Sequence, residues 1–130
     1  MNKTFLITAA LIGALSVALG AFGAHGLKDK LNESALGIFE TAVRYQFYHV
    51  FALLAVAILF GSFPGKNLQW AGMCFIIGII LFSGSLYALT ALSATNTVGL
   101  RGIGAITPIG GVFFIVGWVF LFLAVIKGKP

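Results

Sequence analysis

The residues best able to do chemistry stand in one run, Glu40-Thr41-Ala42-Val43-Arg44-Tyr45-Gln46-Phe47-Tyr48-His49. Wind it as an α-helix at about 100° per residue, with Glu40 at zero. Arg44 then falls at about 40°, Tyr48 at about 80°, Thr41 at about 100°, Tyr45 at about 140° and His49 at about 180°. These side chains share one half of the helix. Glu40 and Arg44 are an i,i+4 acid–base pair in the favourable order, and Tyr45 and His49 repeat the spacing. Such a set could bind a lipid headgroup, a quinone or a protein partner. It could also couple a proton through Glu40, or ligate haem through histidine. The same residues could instead simply staple helix ends together, since tyrosine is also an ordinary membrane-interface anchor.

Catalytic signatures are missing. The chain has two histidines and three acidic residues, and no HxxxH or HExxH spacing. Ser83, Ser85 and Ser93 lie in no nucleophile motif. Gly102-x-Gly104 falls far short of a phosphate loop. Cys74 is the only cysteine, which excludes an internal disulfide and a CxxC motif and suits a small buried apolar residue. The expectation is no enzyme, no catalytic residue, no metal and no cofactor.

The elements that carry these residues follow from composition. Hydrophobic residues make up 60% of the chain and charged residues 8%, with a mean hydropathy of +1.08. A soluble domain carries about 25% charged residues, so this chain cannot cover a water-facing surface and the bilayer is its solvent. The basic residues giving the net charge of +5 are scattered at segment ends, with no stripe for nucleic acid. They suit topology and anionic headgroups instead.

Four stretches reach the ~20 apolar residues that a spanning helix needs: residues 4–24, 45–63, 68–93 and 107–126. The first resembles a signal peptide, but its apolar run is longer than a signal core and reads as a true span. Pro64-Gly65 should stop the second. Thr107-Pro108 should cap and start the fourth, with proline in the first turn. Asn32 should cap a helix in which residues 33–44 form an amphipathic extension of the second span. The predicted fold is a single all-α membrane domain, a compact four-transmembrane-helix bundle. Small-residue seams, such as Ser16, Gly20 and Ala24 on the first span and Gly110 and Gly117 on the fourth, would let its backbones approach. Lys3, Lys66, Lys127 and Lys129 share the side of the termini, against Lys28, Lys30 and Arg101, or four against four once Arg44 is counted, which leans only slightly toward cytoplasmic termini.

An even number of antiparallel spans places His25, at the end of the first, and Arg101, in the third connection, on the membrane face of Glu40 and Arg44. The candidate polar cluster is therefore His25, Glu40, Arg44, Tyr45, Tyr48, His49 and Arg101.

Four ordered motifs carry a resemblance: Gly20-Ala21-Phe22-Gly23-Ala24-His25-Gly26-Leu27, the run Glu40 to His49, Phe82-Ser83-Gly84-Ser85-Leu86-Tyr87, and Thr107-Pro108-Ile109-Gly110-Gly111. Over nearly its whole length the chain resembles the bacterial family catalogued as domain of unknown function 423, whose eukaryotic relatives are called transmembrane protein 256. The resemblance implies a compact four-helix protein of the bacterial cell membrane, and no activity.

Three functions compete. The first is a non-enzymatic binding or structural membrane component, with membrane lipid, a second copy of the chain or a membrane protein as partner. The second is a small proton-coupled transporter, similar to four-span multidrug exporters, resting on Glu40. An arginine one turn away would hold that acid ionised and blunt the coupling. The third is a quinone- or haem-binding redox protein using His25 and His49, since bis-histidine haem needs imidazoles facing across helices.

Overall fold

A computed structural model describes residues 1–95 and 101–129, with the Arg101 side chain outside the described set. Helix α1 (Lys3–Phe22) continues through a π-helical turn, Gly23–Leu27. Helix α2 covers Glu33–Leu59. The third span is built of α3 (Lys66–Gly78), a π-helical stretch (Ile79–Ser83) and α4 (Gly84–Ala94). Helix α5 covers Arg101–Lys127. Among the described residues there is no strand, and four helical stretches are long and apolar enough to cross a membrane.

Local chemistry sets the ends. The Asn2 side chain accepts from the Phe5 N–H at 3.0 Å, and Asn32 accepts from Ala35 N–H at 2.8 Å. Each satisfies a donor that the helix start leaves free. The amphipathic residues 33–44 join the second span without a break. That span stops earlier than expected, at Leu59. Its last carbonyls are closed by tight-turn bonds from Gly61 to Ile58 and from Ser62 and Phe63 to Leu59, before Pro64 is reached.

The start of the fourth span also differs. Pro108 lies inside α5, not in its first turn, and the helix begins at Arg101. Proline there removes one backbone donor. Gly110 and Gly111 follow it closely, and Thr107 turns its hydroxyl to Ser85 on α4 rather than capping the helix.

The bundle is centred on α2. It packs against α1 on one flank and against the third span on another, while α5 packs chiefly on the third span. Phe5, Leu53, Val56, Leu68 and Phe75 form the apolar core. Gly110 faces the backbone of Phe82 in the π-helical stretch, where any Cβ would collide with main-chain atoms. In lipid, where water exclusion gives no force between helices, such close backbone approach lets packing act.

Candidate functional site

Among the fully buried side chains of the described residues the largest polar one is Gln46, 2% exposed. Its Nε2 donates to Ser16 Oγ on α1 at 2.8 Å and, at 3.4 Å, to the Ile12 carbonyl. Its Oε1 accepts from the Tyr87 hydroxyl on α4 at 2.6 Å. Ser16 in turn donates to the Ile12 carbonyl at 2.8 Å. One amide thus ties three spans together, and none of its neighbours is left unpaired. Ser83 adds a link from the π-helical stretch, donating to the Ala42 carbonyl at 2.7 Å. In the sequence Ser16 reads as a packing residue, and neither Gln46 nor Tyr87 stands out as a site residue. The available signal was an amide in an otherwise apolar span, where an unsatisfied group is costly.

The arc from Glu40 to His49 is divided by the fold. The buried face of α2, which carries Ala35, Ala42, Gln46 and Leu53, lies at about 220° on the same wheel. His49, at the edge of the arc, is the member that reaches it and is buried. Glu40, Arg44, Tyr45 and Tyr48 are exposed. Glu40 and Arg44 fall on the flank facing α1, where they line a cleft of about 210 Å³ with Gly20, Gly23, Phe39 and Val43. Their expected ion pair does not form: neither side chain has a polar partner among the described residues. Tyr45, Tyr48 and His49 fall on the other flank, toward α5. His25 is exposed in the π-helical turn that ends the first span. Arg101 begins α5, and its side chain lies outside the described residues.

The α5 flank holds the larger opening. A lateral groove of about 610 Å³ runs between α2 and α5, lined among others by Tyr45, Tyr48, His49, Phe82, Pro108 and Trp118. It exists because both helices lean on the third span, leaving a gap that side chains bridge. The His49 ring stacks on Phe114, with centroids 3.5 Å apart and planes 7° from parallel. Tyr45 packs on Phe82 at 4.8 Å and on Tyr48 at 5.7 Å.

Both ring nitrogens of His49 are engaged. Nδ1 lies 2.7 Å from the Tyr45 carbonyl, which can only accept, so Nδ1 carries the proton. Nε2 accepts from the Trp118 indole N–H at 3.2 Å. Its one free lone pair is therefore taken, and the site does not fit haem ligation by His49 without losing that bond. Among the described residues no group of three His, Cys, Asp or Glu gathers to hold a metal ion. The hydroxyls of Tyr45 and Tyr48 bond to no described residue and are free to meet a ligand. The Trp118 hydrogen bond depends on a partner on another helix, which no spacing along the chain reveals.

A family model described as Protein of unknown function (DUF423) matches residues 19–111. The chain is similar to a "UPF0382 membrane protein" of Staphylococcus epidermidis, 46% identical over 125 residues that cover 96% of this chain and 97% of that one. It is also similar to "UPF0382 membrane protein YwdK" of Bacillus subtilis, 41% identical over 126 residues covering 96% and 98%. No solved structure matches.

Proposed function

The chain belongs to the DUF423 family of membrane proteins, and we propose that it is a non-enzymatic component of the cell membrane whose α2–α5 groove takes up a ring-bearing molecule dissolved in the bilayer. The observation that carries this reading is the groove itself. Its volume falls in the range of roughly 300–1,000 Å³ of small-molecule sites. Its walls are aromatic and present flat faces for offset stacking. Two phenol hydroxyls without partners among the described residues supply hydrogen bonds at its edge, and its deepest polar group, His49, is already satisfied. Such a lining favours an apolar ring with a carbonyl or hydroxyl and gives no place to a bare ion. Transport driven by Glu40 gains no support, because that acid is exposed on the opposite flank. On the positive-inside rule, Lys3, Lys66, Lys127 and Lys129 favour cytoplasmic termini, with the groove's tyrosine end toward the other side.

The test uses Trp118 as the reporter. The chain has two tryptophans, so in a Trp70→Phe background the indole emission comes from the groove alone. Purified protein in micelles is titrated with an isoprenoid naphthoquinone. Saturable quenching is expected, and Gly111→Leu, which fills the groove, should abolish it. Linear quenching of equal slope in both proteins is collisional and would overturn the reading.

A further inference from the structure

The second opening, between α1 and α2, has a different chemistry. Glu40 and Arg44 both line it, opposite in charge, one helical turn apart, and bonded neither to each other nor to any described residue. An i,i+4 pair in the favourable order ordinarily closes on itself; here both heads are left open toward one cleft. The rest of the lining is apolar and nearly flat, because Gly20 and Gly23 of the first span present backbone rather than side chains.

The order with depth is the informative feature. Helix α2 enters the membrane from its Asn32 end, so Arg44 lies about 6 Å deeper than Glu40. The first span is antiparallel, so Gly20 lies deeper than Ala24. From the surface inward the cleft therefore offers a carboxylate and then a guanidinium, with the apolar wall of Gly20 and Val43 beside the step between them. A phospholipid with an amine beyond its phosphate presents the matching sequence: ammonium outermost, phosphate beneath it, acyl chains below. Guanidinium is the side chain best suited to phosphate oxygens. A lipid with an anionic headgroup and no ammonium would leave Glu40 facing like charge.

We propose that the α1–α2 cleft binds the headgroup of a zwitterionic aminophospholipid, its phosphate on Arg44 and its ammonium on Glu40. This site is separate from the aromatic groove, on the other flank of α2, and either can fail without the other.

The test is native mass spectrometry of the full chain in micelles carrying equal amounts of phosphatidylethanolamine, phosphatidylcholine and phosphatidylglycerol. Moderate salt screens the attraction of Lys28 and Lys30 for the anionic lipid. Wild type should retain phosphatidylethanolamine about threefold to fivefold over phosphatidylglycerol, the scale of one exposed ion pair. Glu40→Gln should erase that preference, and Arg44→Ala should lower retention of every phospholipid. Both residues are exposed and unbonded, so thermal stability should not move. The exchanged double variant Glu40→Arg/Arg44→Glu keeps the composition and inverts the order with depth, and it should lose the preference as well. Equal retention of phosphatidylethanolamine and phosphatidylglycerol by wild type, or an undiminished preference in Glu40→Gln or in the exchanged variant, overturns the proposal.

Discussion

Replacing Gln46 by leucine tests whether the interior network holds the bundle. The substitution keeps the side chain's bulk and removes its amide. Two short interhelical bonds go, from Nε2 to Ser16 and from Tyr87 to Oε1. Interhelical bonds in membrane proteins average about 0.6 kcal/mol each and reach about 1.7. Ser16 keeps a partner in the Ile12 carbonyl, but the half-buried Tyr87 hydroxyl loses the only one it has among the described residues. An orphaned hydroxyl costs about 1–3 kcal/mol. Gln46→Leu should therefore lose about 2–4 kcal/mol, Tyr87→Phe somewhat less, and the double variant clearly less than the sum of the two. Pairs in direct contact couple by about 0.5–3 kcal/mol. Unfolding in mixed micelles with rising dodecyl sulfate measures all four corners of the cycle. If Gln46→Leu matches wild type, or the two losses simply add, the network is not what joins the first three spans.

Two further substitutions separate close packing from local helix preference and side-chain bonding. Gly110→Ala puts a methyl against the Phe82 backbone, which cannot turn aside as a side chain can, so about 1–3 kcal/mol should be lost in the same unfolding assay. Gly84→Ala meets nothing within 4 Å and should be neutral or gain up to about 1 kcal/mol, so equal losses at the two sites would refute the packing account. Trp118→Phe removes the donor to His49 Nε2 while keeping an aromatic wall; a loss of about 0.5–1.5 kcal/mol and a shifted His49 imidazole ¹⁵N resonance are expected, and an unmoved resonance would contradict the bond.

The fold was legible where a single helix decides the matter. Apolar length marks the spans, Asn32 marks the start of α2, and good helix formers carry that helix unbroken from Glu33. It was less legible where two helices decide it. Thr107-Pro108 has the local form of a helix start, yet α5 begins at Arg101, with the proline inside the helix and the Thr107 hydroxyl bonded to Ser85 on a neighbouring helix. The π-helical stretch at Ile79–Ser83 has no signature in its own residues. It lies where Gly110 of α5 meets Phe82, a meeting of distant segments.

The candidate site shows the same division more sharply. A helical wheel ranks residues by angle but does not say which angle is the interior. Taking Glu40 as origin gathered the conspicuous polar residues into one arc and left Gln46 out of it. The interior lies at about 220°, so the arc straddles both exposed flanks and touches the core only at His49. One patch of sequence thus becomes two surfaces with different chemistry, charged toward α1 and aromatic toward α5. What separates them is the buried face of α2, whose polar member, Gln46, fixes α1 and the third span. The central helix therefore sets the width of the α1 cleft through Gln46 and Ser16, and that of the α5 groove through His49 and Trp118. A substitution that loosens the first bond should open the charged cleft and leave the aromatic groove as it is. Lipid retention and Trp118 quenching, measured on the same Gln46→Leu protein, would then move independently.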